Sequence, residues 1–190
     1  MMATDDFPVL DTPRLRLREL AAADAPALLA IHGDPVVMKW FGNDPLTDLA
    51  GAEKAIENFV ALRQLAAPGV RWGIETKASE PAPDALVGTC GFFRWNRGWR
   101  VCMVGYELAQ HAQGRGYMRE ALAAVFGWAF EHMAVERIEA QVHPDNRASL
   151  TLLKRLGFAD EGLQREAAFW GGRRHDMVML GLLRREFVAG

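Results

Sequence analysis

The sequence predicts an α/β fold: a single domain whose mixed, mostly antiparallel central sheet carries helices on both faces. Three observations predict it. The chain has 190 residues, and one globular domain spans roughly 100–200 residues; a chain of that size buries roughly 70% of its unfolded surface and holds a core without disulfide or metal staples. Its residues are 50% hydrophobic and 24% charged, the balance of an ordinary globular chain. Segments with an apolar period of two alternate along it with segments whose apolar residues recur at helical spacing.

The elements follow in order. Arg14 to Leu20 reads R-L-R-L-R-E-L, a half-buried strand with Leu15 and Leu17 inward. Asp24 is placed to cap a short helix carrying Leu28, Leu29 and Ile31, and Asp34-Pro35 starts another. Thr47-Asp48 precedes a longer helix through Leu65, with Leu49, Ile56, Phe59, Val60 and Leu62 as its apolar stripe. Val70 to Thr76 and Ala85 to Phe93 read as strands; the segment Lys77 to Ala85 between them, with Pro81 and Pro83, reads as a surface loop. Asn96-Arg97-Gly98 turns the chain into a long strand from Trp99 to Leu108. Arg115 to Met133 is a helix on the spacing of Leu122, Val125, Phe126, Ala129 and Met133. Arg137 to His143 is a strand, Asn146 to Leu156 is a short helix stopped by Gly157, and two strands, Gly162–Trp170 and Arg173–Leu183, flank a Gly171-Gly172 hairpin turn.

Charge and composition exclude several classes of function. Twenty-two basic against 24 acidic side chains give a net charge of −2, without the basic footprint of a nucleic-acid binder. Cys90 and Cys102 are too few for a disulfide framework and lie in apolar, strand-like runs, so they are expected to be inert buried thiols in a reducing compartment. No charged leader followed by an apolar stretch opens the sequence, and the most apolar segment, Ala121 to Phe130, falls short of the about 20 residues a bilayer span needs. The expectation is a cytoplasmic protein that engages neither nucleic acid nor membrane. His111, His132, His143 and His175 show no paired ligand spacing, and no metal is expected.

The stretch that carries chemistry is Gly105 to Met118, GYELAQHAQGRGYM. A strand ends at Leu108, and Gly114 and Gly116 bracket Arg115 where the long helix begins. Glycines there let the backbone turn sharply and approach a ligand closely. The first N–H groups of a helix lack internal partners and sit at its positive end, which seats phosphate oxygens. A P-loop would need Gly-Lys-Ser/Thr, but Tyr117 follows Gly116; a dinucleotide fingerprint would want Gly or Ala where Arg119 stands. Taken alone, the turn reads equally as a tight strand-to-helix connection with no ligand.

Gln113-Gly114-Arg115-Gly116-Tyr117-Met118 resembles the Gln/Arg-x-x-Gly-x-Gly/Ala signature of the GNAT superfamily of acetyl-CoA-dependent N-acetyltransferases. Three further pieces fall in that family's order: Thr12-Pro13-Arg14-Leu15-Arg16-Leu17-Arg18 is similar to its opening strand, His143 through Ser149 (HPDNRAS) to its N-x-x-S helix start, and Leu156-Gly157-Phe158 with Glu161-Gly162 to its K-L-G-F-x-x-E-G stretch. The resemblance covers about Thr12 to Leu183 and is strongest to the branch that acetylates the N-termini of ribosomal proteins (RimJ/RimL-like). It implies one GNAT domain over residues 1–190 and transfer of acetyl from acetyl-CoA to a primary amine by direct attack, with the cosubstrate and an amine acceptor as partners and a monomer or homodimer as the assembly.

The resemblance also assigns residues. Backbone N–H groups of Gln113, Gly114, Arg115, Gly116, Tyr117 and Met118 bind the CoA pyrophosphate, with Met118 replacing the usual small residue so that its side chain must point away. Pantetheine lies along the strand at Tyr106 and Leu108 as if it were an added strand. An N–H near Leu108 faces the acetyl oxygen, a contact worth ~3–4 kcal/mol in the transition state. Arg115 and Arg119 lie near the cofactor's phosphates or are solvated. Asn146 contacts pantetheine or only caps its helix. Ser149 is the family's candidate general acid, its alternative being a hydroxyl bonded to its own helical turn. The ribosomal enzymes often carry a glutamate before the final hairpin as base, and Ala168 stands at that position. Two carboxylates remain, Glu107 on the cofactor strand and Glu166, which shares a face with Ala168 because side chains alternate with period two; the alternative for each is a solvated surface acid. Trp40, Phe41, Trp95, Trp99 and Trp170 line an acceptor cleft or pack in the core.

Without an evident strong base, an α-amine is the easier acceptor. With a pKa near 7.7–8.0 it loses about 1–1.4 kcal/mol to protonation at pH 7, against about 4.6 for a lysine near 10.4. Polyamines, amino acids and aminoglycosides are the alternatives, and a CoA-binding sensor without turnover is the reading from another class.

Overall fold

The side chains of Leu15 and Leu17 are fully buried while Arg16 between them is exposed, as the alternation requires. The computed structural model of the chain describes residues 7–80 and 86–188. Its strands are β1 (Leu10–Asp11), β2 (Leu15–Arg18), β3 (Val70–Thr76), β4 (Gly88–Asn96), β5 (Val101–Leu108), β6 (Arg137–Val142), β7 (Ala159–Trp170) and β8 (Arg173–Leu183). Its helices are α1 (Ala25–His32), α2 (Pro35–Met38), α3 (Leu49–Ala61), α4 (Tyr117–His132) and α5 (Arg147–Arg155). The strands form one sheet in the order β1-β2-β3-β4-β5-β6-β8-β7, antiparallel throughout except for the parallel pair β5–β6. The α/β fold with a mixed, mostly antiparallel sheet is therefore as the sequence predicts. No helix among the described residues is long and apolar enough to cross a membrane.

Several local expectations change. β1 pairs Leu10 with Leu17; two residues are too short to show a period. Ala85, expected to open β4, and the Pro81–Ala85 part of the expected loop lie outside the described residues. Asp24 precedes α1 but does not cap it, because its carboxylate holds the Arg18 guanidinium through two bonds of 2.8 Å and accepts from the Ala21 amide. Asp34 and Asp48 do cap, accepting from the amides of Val36 and Gly51. α3 buries Ala52 and Ile56 against α1, leaving Leu49 and Val60 of the expected stripe exposed.

Two cores form, one on each face of the sheet. Trp72, Phe92, Phe126 and Phe158 lie within ring contact of one another under α4, with Phe126 touching Phe92 at 6.1 Å and Phe158 at 5.6 Å. Leu153 of α5 closes the same cluster. On the other face Leu20, Leu28, Ile31, Ala52 and Ile56 pack α1 and α3 against the sheet. Both cysteines are buried free thiols, and burial pushes Cys90 up to about 12.

Two irregularities position the site. The parallel pairing of β5 with β6 covers only Val101, Cys102 and Met103, ending at Met103 opposite Glu139, although β5 continues to Leu108 and β6 to Val142. In β7 the register slips between Gln164, opposite Met177, and Ala168, opposite His175. That bulge places four β7 steps against two on β8 and destroys the period of two there.

Phe126 sits where the aromatic cluster converges and is fully buried. Phe126→Ala is expected to lower unfolding stability by about 3–5 kcal/mol, read from the urea midpoint by far-UV circular dichroism.

Candidate functional site

Antiparallel pairing alternates, so every second residue of β5 turns its backbone groups away from β4. The Ala109 N–H donates to Val87 at 2.9 Å and Glu107 stands opposite Thr89, which leaves the amides of Tyr106 and Leu108 facing the side where β6 has diverged. The two strands thus part around an unpaired edge. A cavity of about 950 Å³ opens on the α4–α5 side, bounded by Leu108, Gln113, Gly116, Arg119 and Arg155. A second, of about 630 Å³, opens toward α1 and α3, bounded by His32, Phe59, Arg71, Phe93 and Trp170. Trp40, Phe41, Tyr106, Asn146 and Ser149 border both, so the cavities meet at the gap in the sheet.

The glycine turn lies at the wall of the larger cavity. Gly114 and Gly116 have φ of +75° and +81°, a region costly to residues with a Cβ. A Cβ on Gly114 would meet nothing within 4 Å, so its backbone faces open space. The first intrahelical bond of α4 runs from the Glu120 N–H to the Gly116 carbonyl, which leaves the preceding amides without helical acceptors. Gln113 departs from the expected set: its N–H donates to the Gln110 carbonyl, and its side-chain amide donates to Leu108. The available amides are those of Gly114 through Met118. Tyr117 and Met118 bury their side chains in the core, with the Tyr117 hydroxyl on Glu80, so their amides rather than their side chains address the turn. Arg119 borders the cavity, whereas Arg115 is exposed beside it.

A clamp holds this turn to the first strand. Glu120 accepts from the Thr12 hydroxyl at 2.6 Å, the Arg14 amide at 2.9 Å and Arg14 Nε at 2.7 Å. Arg14 Nη1 also donates to the Arg115 carbonyl, and its guanidinium lies 4.9 Å from the Tyr117 ring centre. Burial alone would raise the Glu120 carboxyl, but the hydrogen bonds from Thr12 and Arg14 outweigh it and the net shift is downward.

At the meeting of the cavities the Tyr106 hydroxyl and Ser149 Oγ are 2.7 Å apart, so the Ser149 hydroxyl is engaged across the gap rather than only within its own turn. Burial pushes the Tyr106 phenol well above its ordinary value, with the bond to Ser149 pulling weakly the other way, so it stays a proton donor at neutral pH. Asn146 caps α5, its Oδ1 accepting from the Ser149 N–H at 3.2 Å, and it borders both cavities.

The two carboxylate candidates are corrected. Glu107 is buried, its oxygens shared among Arg71, Thr89 and His32 Nε2, the last at 3.0 Å. Burial opposes its ionisation, yet Arg71, His32 and Thr89 hold its carboxyl below the usual range. It is neither a solvated acid nor a free base. Glu166 does not share a face with Ala168, because the bulge puts it at φ +52° and leaves it exposed; Ala168 borders the smaller cavity and Glu166 neither.

Trp40, Phe41 and Trp170 line the smaller cavity, while Trp95 is buried in the core and Trp99 is 82% exposed at its hairpin. His143 stacks on Trp40 at 4.2 Å, and His175 stacks on Trp170 at 3.6 Å. No group of metal-ligating side chains is present among the described residues. Sequence motifs gave no reason to single out His32, Arg71 or Thr89. The available signal was an ionisable residue, His32, closing the apolar stripe of α1 at a core position.

Residues 14–159 match the acetyltransferase (GNAT) domain family. The chain is 32% identical over 178 residues to the uncharacterized N-acetyltransferase YoaA of Bacillus subtilis, covering 94% of this chain and 98% of that protein. It is 32% identical over 112 residues to the [ribosomal protein uS5]-alanine N-acetyltransferase of Escherichia coli, 58% of each. The spermidine N-acetyltransferase of Vibrio cholerae, solved in complex with CoA and spermine, superimposes with a TM-score of 0.77 at 20% identity, over 92% of this chain and 98% of that one; at that identity the likeness is one of fold.

The lowered carboxyl of Glu120 fixes a pH dependence. A depressed folded pKa contributes stability above the unfolded value, near 4.3, and loses it as pH falls through the folded value. Glu120→Gln is expected to cost about 2 kcal/mol at pH 7, with the difference from wild type shrinking below about pH 4, as read from urea unfolding at each pH.

Proposed function

The chain belongs to the GNAT acetyltransferase family and is an N-acetyltransferase; from that premise we propose that it transfers acetyl from acetyl-CoA to the α-amine of a protein N-terminus, a ribosomal protein by preference. Acetyl-CoA fits the larger cavity by the chemistry of its walls. The amides of Gly114 through Met118 hold the pyrophosphate, and the edge amides of Tyr106 and Leu108 hold pantetheine as an added strand. Arg119 and Arg155 border the same cavity and offset phosphate charge.

The smaller cavity carries the reading of the acceptor. Its wall is largely aromatic and apolar, its one carboxylate among the described residues is Asp44, and Arg71 adds a cation. Asp44 already accepts from the Gly171 amide at 3.1 Å. A polyamine or aminoglycoside brings several ammonium groups that would be desolvated there without counter-charges. A single amine attached to a peptide with small or apolar first side chains suits the wall. The similarity to the uS5-alanine enzyme supports a ribosomal protein.

In the reaction the neutral amine attacks the thioester carbonyl while the Leu108 N–H donates to the carbonyl oxygen as it gains charge. The C–S bond breaks, and the departing thiolate takes the Tyr106 hydroxyl proton, which Ser149 hands back from solvent. In this reading Tyr106 is the acid, with Ser149 Oγ 2.7 Å away to return its proton.

Thiol release from acetyl-CoA is expected with peptides bearing free N-termini and not with spermidine; release with spermidine alone would reverse the acceptor assignment. Tyr106→Phe is expected to lower kcat about 100-fold with CoA affinity by calorimetry unchanged, and Ser149→Ala to lower it less.

A further inference from the structure

The proton leaving the amine needs an acceptor, and Ala168 on the wall of the smaller cavity offers none. The structure supplies a different group. We propose that His32 is the catalytic base, taking the amine proton at Nδ1, and that Glu107 is its positioning residue; this rests on the acetyltransfer reading above.

The geometry carries the assignment. His32, at the last turn of α1, borders the smaller cavity together with Tyr106 and Ser149. Its Nε2 lies 3.0 Å from Glu107 Oε1, and among the described residues no group is bonded to Nδ1. Glu107 is a carboxylate, clamped by Arg71 and by the Thr89 hydroxyl, and Arg71 Nε donates to Thr89 at 2.6 Å. A carboxylate accepts only, so Nε2 must carry the ring proton, and Nδ1 is left with its lone pair. This is the arrangement in which a buried acid fixes the tautomer of a histidine base and stabilises the imidazolium that forms.

The surroundings leave few competitors. The charged groups facing His32 are Glu107 from β5 and Arg71 from β3; α3 presents Phe59 at 6.1 Å and the segment after α2 presents Phe41 at 5.0 Å, both ring to ring. Asp44 lines the same cavity from the segment after α2. The two aromatic rings hold the imidazole plane, and the Glu107–Arg71 pair is neutral as a unit, so proton uptake at Nδ1 adds one positive charge beside a carboxylate. The balance is complete: the N–C bond forms, the C–S bond breaks, the amine proton passes to Nδ1 directly or across one water, the thiolate is protonated by Tyr106, and His32 returns its proton to solvent.

The test is the pH profile of thiol release by His32→Gln with a peptide acceptor. Glutamine keeps an N–H toward Glu107 and similar bulk but has no basic nitrogen. The variant is expected to bind CoA like wild type and to turn over about 100-fold more slowly at pH 7. The deficit should narrow toward pH 9, because hydroxide in solvent then takes the proton that the nitrogen sheds as the N–C bond forms. A deficit constant across pH, or full activity at pH 7, overturns the assignment. Because the variant's fold is at risk, ring nitrogen NMR of wild type gives a second reading: His32 must show protonated Nε2 and bare Nδ1, and the opposite tautomer overturns the proposal. Wild type that releases no thiol with any amine sinks the acetyltransfer reading itself, whereas active wild type with an unaffected His32→Gln sinks only the role of His32.

Discussion

Everything in the site depends on where β5 and β6 cease to pair. β6 keeps its full register with β8, from Arg137 opposite Leu183 to Val142 opposite Val178, while β5 stays with β4 as far as Leu108. The sheet is in effect two half-sheets joined by three residues of parallel pairing and forced apart beyond Met103. A splayed pair leaves backbone donors unsatisfied in the interior, which is costly unless a ligand or water takes them. In the proposed reading, an extended amide-bearing chain takes those donors and completes the sheet. The divergence also lets the two cavities meet, bordered in common by Tyr106, Asn146 and Ser149.

The hydrogen-bonding demands of buried charge then decide which side chains are free to act. Glu107, buried and shared among Arg71, Thr89 and His32, is structural charge in the sense that removing any partner strands it. Those partners occupy its oxygens, so it is not free to act as a base. Tyr106, the neighbouring residue on the strand, points to the other face, where burial keeps its phenol protonated beside Ser149. One strand therefore presents a phenol on one face and anchors a histidine on the other, a separation that follows from the period of two.

The same economy links the first strand to the glycine turn. Thr12 and Arg14 belong to a segment with no chemistry of its own, yet they converge on Glu120 and on the Arg115 carbonyl. The clamp fixes the start of α4 so that the amides before Glu120 point at the cavity. Preorganised donors stabilise charge without reorganising when it arrives.

The sequence by itself determined β3 and β8 end to end, the latter from its Gly171-Gly172 turn, and the long helix α4 from its apolar spacing. It marked the strand-to-helix turn as well, where the structure holds Gly114 and Gly116 at positive φ. The four motif segments pointed to the family because each encodes local backbone geometry. Tertiary structure alone decided the rest. Glu166 left the face of Ala168 because a bulge depends on the partner strand, and Asp24 gave up its cap because Arg18 lay within reach. His32, Glu107 and Arg71 come from α1, β5 and β3, and their meeting is set by how those elements pack. Local periodicity records which side of an element faces inward; which partners it meets there is a property of the assembled sheet.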